Sequence, residues 1–350
     1  MKKNSKLFSL LFVVSILFGC QSAMDEHYKV PEWLKGSAWQ VLDGRGDYTI
    51  FLKGVEIAGF RPMMEGKSIL TVMAPNDAAF REYLSANGFS DISDMSIDQV
   101  KKLIGFHLLY YSYNKEKMIN FRPEGDQASD ESKMINAGMY YKFRSRSQDA
   151  PTKVIDSTGV ERTIYHLERF LPVFSYQFFQ TKRIDAKANY EFFYPNSTWT
   201  GGDGFNVSNA TVKEYQIIAD NGYIYAIDRV LEPLETIYTV LSKNPNYSVF
   251  YGLYDAYTAY LYDATLSTNY GKAAGVDSLY LHTHGGDLPP IANEWPTTSY
   301  QNVSALARQS FSIFAPSNAA LNDFFQRYWQ IGGYSSLIDV DRLAMQYLLL

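Results

Sequence analysis

Short apolar stretches of strand character that run straight into capped helical patterns set the rhythm of this chain. At 71–80, "TVMAPNDAAF", Thr71, Val72 and Met73 favour an extended, half-buried strand. Pro75 lacks an N–H and cannot extend a central strand, and it holds Ala74 extended. Asn76 is a good N-cap, Asp77 suits the positive end of a helix, and Ala78, Ala79 and Phe80 open an amphipathic helix that should stop near Asn87-Gly88. The same signals return at 312–321, "SIFAPSNAAL", with Pro316 and Ser317 in the equivalent places and Gly332-Gly333 as the stop. Both motifs read as scaffold, because nothing in them is chemically reactive.

Upstream of each motif lies a helical pair. "AWQVLDGRGDYTIFLKGVEIAGF" (38–60) is echoed by "IYTVLSKNPNYSVFYGLYDAY" (237–257), each with a Val-Leu start, a polar break and a Tyr-x-x-Phe opening of a second helix. The second copy carries about 42 extra residues before its Ala-Pro motif, an insert at about 263–306 that reads as loop with short strands. Between the copies, "YQIIADNGYIYAIDRVLEP" (215–233) has the period of two expected of a hairpin, with Asn221-Gly222 as a type I′ turn. Pro233 closes that unit, and a domain boundary falls near residue 235. A long insert at about 108–212 fills the first copy. In it "MYYKFRSRS" and "TKVIDSTGVERTIYHL" read as strands, and "RFLPVFSYQFFQTK" as a helix starting after Pro172.

The start of the chain concerns location. Lys2, Lys3 and Lys6 precede an apolar run from Leu7 to Phe18 that fits a secretory signal and is too short to span a bilayer. It ends in "LFGC", and Cys20 is the only cysteine of 350 residues. This resembles the lipobox of bacterial lipoproteins, which implies a signal peptide over 1–19, acylation of Cys20 (palmitate-type lipidation) and a lipid-anchored linker over 20–32. Membrane attachment would then come from acyl chains. A formal charge of −5 with interspersed signs excludes the basic face that nucleic acid requires. The 28 tyrosines against 5 tryptophans provide rigid rings with polar handles, suited to an exposed binding surface or to a tyrosine-rich core.

The helix pair, "TVMAPNDAAF", a helix ending in Phe106-His107, and the terminal "NGYIYAIDRVLEP" together resemble a fasciclin domain. The resemblance spans 33–235 and again 236–350. It implies an α+β fold, a mixed β wedge with flanking helices in two copies, and non-enzymatic work in adhesion or matrix binding. Two features depart from the pattern: the long first insert, and the end of the second copy at "LAMQYLLL", where Tyr347-Leu348 stands opposite Phe106-His107. The closing strands of the second copy are expected to be missing. The inserts resemble those of fasciclin-type lipoproteins of the Bacteroidota, which implies an outer-membrane, cell-surface location and SusC/SusD-type uptake proteins as partners. Asp25-Glu26 fits an acidic surface-export signal of that group.

Candidate chemistry is sparse. Tyr190, Tyr194 and Trp199 lie in a Gly- and Asn-rich segment, "NYEFFYPNSTWTGGDGFNVSNA" (189–210), and either stack a glycan or peptide ligand or pin the loop to the domain. His282 and His284 alternate along one strand with Asp287 nearby. They form either an ordinary loop or part of a zinc site, the latter giving a metal-dependent hydrolase as the alternative function. His107, on an apolar helix, reads as a core residue with its polar atoms satisfied. No cofactor-binding motif, G-x-S-x-G elbow or Gly-rich phosphate loop is present.

Overall fold

The computed structural model describes residues 35–120, 141–293 and 312–350. The leader, Cys20 and residues 294–306 of the second insert lie outside the described residues. In chain order the helices are α1 (Ala38–Arg45), α2 (Thr49–Ile57), α3 (Asp77–Ala86), α4 (Ile97–Phe106), α5 (Lys115–Ile119), α6 (Tyr176–Lys182), α7 (Ala186–Phe193), α8 (Ile237–Lys243), α9 (Ser248–Asp255), α10 (Ala264–Ala274), α11 (Asn318–Phe324) and α12 (Arg342–Leu349). The strands are β1 (Leu70–Pro75), β2 (Leu108–Tyr110), β3 (Tyr141–Arg144), β4 (Thr152–Ile155), β5 (Glu161–Ile164), β6 (Phe170–Ser175), β7 (Phe205–Val207), β8 (Ala210–Ala219), β9 (Gly222–Ile227), β10 (Thr258–Tyr262) and β11 (Tyr280–His284).

The expected α+β architecture is present. Seven strands form one mixed sheet in the order β2-β1-β9-β8-β7-β6-β3, parallel only between β1 and β9. A bridge between Leu109 and Ser145 brings the two edges of this sheet together, so it curls nearly closed. Alternation along the strands then separates two cores. Leu70, Val72 and Ala74 of β1 and Ile224 of β9 pack under α1, α2 and α4 with Leu42, Phe51, Val55 and Ile104. Met73, Tyr225 and Ile227 turn the other way, into a core with Phe143, Val173, Phe174, Tyr190 and Phe205. The helices hold where local chemistry closes their ends: Ser37 with Gln40, and Ser96 with Gln99, form capping boxes at α1 and α4.

Three expectations about elements are corrected. Phe170–Ser175 is a fully buried strand, with Pro172 opposite Lys142, and the helix starts only at Tyr176; two-sided burial in the sheet outweighs the local preference of proline for a first helical turn. The second insert contains an eleven-residue helix, α10, begun by Asp263 accepting from Leu266 N and stopped by Gly275 at φ 70°. The stretch at 312–317 in the second copy is not a strand, because no partner strand lies beside it among the described residues, and Phe314 is 97% exposed.

The hairpin turn also differs from expectation. Ala219 pairs with Gly222, so the two-residue loop is Asp220-Asn221. Asn221 does not have the positive φ that a type I′ turn needs. Its side chain is occupied instead: Oδ1 accepts from Ala38 N at 2.9 Å, at the start of α1, while Nδ2 donates to Met63, Met64 and Ser68 carbonyls at 3.1, 3.2 and 3.3 Å. Gly222 sits in the strand at φ 153°, and a Cβ there would lie 1.8 Å from Leu70 O of the adjoining β1.

A second sheet, β10-β11-β5-β4, crosses residue 235. The β4–β5 hairpin belongs to the first insert, and β11 to the second. They meet where Ile164 faces Tyr280 and Tyr165 N donates to Tyr280 O at 2.8 Å. Beneath them Tyr165, Leu167 and Phe170 share a core with Leu266, Leu279 and Leu281. The inserts therefore fold together and join the two halves of the chain.

Candidate functional site

The repeated Ala-Pro motif is structural in both copies. Asn76 Oδ1 accepts from Ala79 N at 3.0 Å, and Ser317 Oγ from Ala320 N at 3.2 Å, as N-caps. Pro75 is the last residue of the central strand β1, and Pro316 precedes the Ser317 cap. The residue after each cap has a second role that spacing alone does not reveal. Asp77 accepts from Thr49 Oγ1 at 2.7 Å and Ile50 N at 2.8 Å, capping α2, whose own N-cap Tyr48 makes no side-chain cap bond. Asn318 accepts from Val249 N at 3.0 Å and so caps α9 behind Tyr247.

His107 is fully buried, with Phe51 and Phe80 against it. Leu231 N donates to Nε2 at 2.9 Å, which assigns the proton to Nδ1, 3.0 Å from Leu103 O. Burial pushes its pKa down to about 4. A neutral ring thus ties α4 to the segment that leaves β9.

The three rings proposed as a ligand platform do not form one. Tyr190 is fully buried, its hydroxyl donating to Ser208 O at 2.9 Å, so it offers no face to a ligand. Tyr194 and Trp199 are half-buried and pack on the same core, with Trp199 edge-on to Phe179 at 5.4 Å and inclined 51° to Tyr190. The apolar interior of the curled sheet has drawn these rings inward. The exposed aromatics of this region are Phe192 and Phe193, at the end of α7.

His282 and His284 lie on β11 with ring centroids 5.2 Å apart, and burial pushes both pKa values down to about 4. His282 Nε2 meets Thr258 Oγ1 at 3.1 Å; that hydroxyl donates to Asp255, as does Tyr238 OH. His284 stacks on His282 and meets Tyr254 edge-on, with no hydrogen-bond partner on either nitrogen among the described residues. Asp287 is exposed in the following loop. Among the described residues no three His, Cys, Asp or Glu side chains gather to hold a metal ion. His282 ties β11 to β10 through Thr258, and His284 packs in the core.

The junction of the two halves contains the polar clefts. One cavity, about 390 Å³, runs between the β4–β5 hairpin and α8, with Thr152, His166, Tyr238, Tyr260 and His282 in its walls. An ion-pair chain crosses it. Lys102 Nζ reaches Asp149 at 2.6 Å and Glu235 at 3.2 Å, Arg169 reaches Asp149 at 2.7 Å, and Lys243 reaches Glu235 at 3.5 Å. Burial would raise the pKa of Asp149, but Lys102 and Arg169 hold it below the usual carboxylate range. A second cavity, about 440 Å³, shares Asp149 and is walled on one side by α10. Sequence reasoning missed this junction, because its side chains come from four distant segments and no spacing connects them.

Residues 46–162 match the family model of the fasciclin domain. The match begins at the end of α1 and stops inside β5, leaving outside it the β8–β9 hairpin that completes the sheet. No curated protein matches the chain. Among solved structures, the chain is similar to a FAS1 domain pair from the insect cell adhesion molecule fasciclin I, at 15% identity over 66% of this chain and 67% of that one, with a TM-score of 0.30.

Proposed function

We propose, from the fasciclin domain matched at residues 46–162, that this protein is a non-enzymatic, lipid-anchored component of the bacterial cell envelope acting in adhesion or ligand binding. That match is the observation which carries the reading, and the leader supplies the location: a basic start, an apolar run and then the chain's single cysteine. Among the described residues no helix is long and apolar enough to cross a membrane, so in this reading acyl chains on Cys20 hold the protein. The side chains that could do chemistry have structural employment, as at His107 and His282. The two copies of the helix-pair motif, with Asp77 and Asn318 in matching capping roles, favour a pair of fasciclin-like modules over 33–235 and 236–350.

The proposed place is the outer membrane, facing outward, and the proposed setting is an accessory subunit beside SusC/SusD-type uptake proteins. Anchoring is the step to test first. Cys20→Ala expressed in a bacterial host should lose incorporation of labelled palmitate and move from the membrane to the soluble fraction. Retention in the membrane with unchanged labelling would refute the lipid anchor.

A further inference from the structure

The second junction cavity contains a cation with no ion-pair partner among the described residues. Arg146 lines it, with its guanidinium 4.0 Å from the centroid of the Tyr110 ring and Arg144 at 4.1 Å from the same centroid. The nearest buried carboxylate, Glu168, is 4% exposed and already accepts from Arg144 Nη2 at 2.6 Å and Tyr110 OH at 3.0 Å. Asp149 is taken by Lys102 and Arg169. Among the described residues no carboxylate pairs with Arg146, and its Nε is buried without a hydrogen-bond partner. Burial lowers its pKa, the sign of a guanidinium that has lost water and gained little in return. Lys101 and Asp98 also line the cavity, and neither has an ion pair among the described residues, so together with Arg146 the unpaired groups carry one net positive charge. A half-buried cation in this state gains most from an anion that can be bound by charge-assisted hydrogen bonds.

Beside this charge stands a flat apolar surface. Tyr165 and Tyr270 stack with centroids 5.1 Å apart and planes 24° apart. Tyr165 is buried beneath, while Tyr270, on α10, is 38% exposed and lines the cavity. Gln148 and the carboxylate of Asp98 add polar groups around the same space, suited to hydroxyls. The volume, about 440 Å³, is within the usual range for a small-ligand site.

We propose that this cavity binds the carboxylate-bearing ring of an acidic saccharide, with Arg146 taking the carboxylate and Tyr270 the apolar face of the sugar. The assignment rests on the ligand-binding reading above and adds a ligand class to it. It also gives the joined inserts a use, since Arg146 and Tyr270 come from different halves of the chain.

The test is titration of glucuronate and galacturonate, with glucose as the neutral control, into the detergent-solubilised full chain, read by ligand-observed NMR and calorimetry. At least one uronate should bind roughly tenfold or more tightly than glucose. Arg146→Gln should abolish that preference, and Tyr270→Ala should weaken uronate binding roughly tenfold, at unchanged melting temperature. If Arg146→Gln does not fold, Arg146→Lys, which keeps charge but loses the planar fork, and Tyr270→Ala decide the matter. Uronate binding no tighter than glucose, or unchanged in the variants, would overturn the site. So would displacement of uronate by acetate or by an acidic peptide as readily as by uronate itself, which would mark a general anion or peptide site. None of these outcomes touches the membrane anchor, and a failed anchor in Cys20→Ala leaves uronate binding to be measured independently.

Discussion

At the scale of single residues, side chains that look conformational in the sequence turn out to be connectors. Gly222 is the clearest. Its role is close approach, since a Cβ would meet Leu70 O at 1.8 Å, and its φ of 153° is one that other residues rarely adopt. Gly222→Ala should therefore destabilise by about 3 kcal/mol in urea unfolding, from strain and displaced backbone together. An effect within a few tenths of a kcal/mol of zero would show that β1 and β9 can separate at no cost. His107 gives a prediction about pH. Its folded pKa of about 4 lies below the unfolded value near 6.5, so between these values the unfolded chain binds a proton that the native one refuses. The stability present above pH 6.5 is lost as pH falls toward 4, by about 3 kcal/mol, and levels off below. His282 and His284, shifted the same way, steepen the same limb. Urea midpoints between pH 7 and pH 4 should follow this slope, and His107→Gln should flatten it.

At the scale of elements, the structure shows how one motif secures two helices. Asn76 caps the helix that it precedes, whereas Asp77 reaches back to cap α2 through Thr49 and Ile50. Losing Asn76 removes one bond to the otherwise unpaired N–H of Ala79, a typical cost of about 1 kcal/mol. Asp77→Ala removes two bonds and a favourable charge at a helix start, so it should cost more, about 2 kcal/mol. Thermal melts of the two variants side by side test the order, and equal losses would show that the link between α2 and α3 contributes nothing. The same logic extends to Asn318 and Val249, where the second copy uses an amide in place of the carboxylate.

For the whole molecule, the important contact is between the inserts. Two segments far apart in the chain contribute to one four-stranded sheet and one small core, and that core joins the halves on either side of residue 235. Leu279 is fully buried there. Leu279→Ala should cost about 3 kcal/mol and uncouple the halves, so that calorimetry should show two transitions for the variant and one for the native protein. One unchanged transition would mean that the halves do not depend on this core. The ion-pair chain through Lys102, Asp149, Arg169, Glu235 and Lys243 lies across the same junction.

What could be read from the sequence was local. Strand-proline-cap-helix at 70–86, the echo of the helix pair and the place of His107 in the core all follow from dihedral limits, capping and apolar spacing within a few residues. The start and stop signals of α10, Asp263 and Gly275, were equally local and could have been read. Tertiary structure decided everything that depended on a partner from elsewhere. Pro172 became a strand residue because β3 and β7 flank it. The 312–317 stretch did not become a strand for want of a partner beside it. Tyr190 and Trp199 turned inward because the curled sheet offered an apolar interior. Asn221 left its expected turn because α1 and the 63–68 segment offered its amide four bonds. Arg146 and Tyr270 came to line one cavity only because the inserts pair. Spacing along a chain carries the geometry of neighbours, but burial and charge compensation are settled by whatever the fold brings alongside.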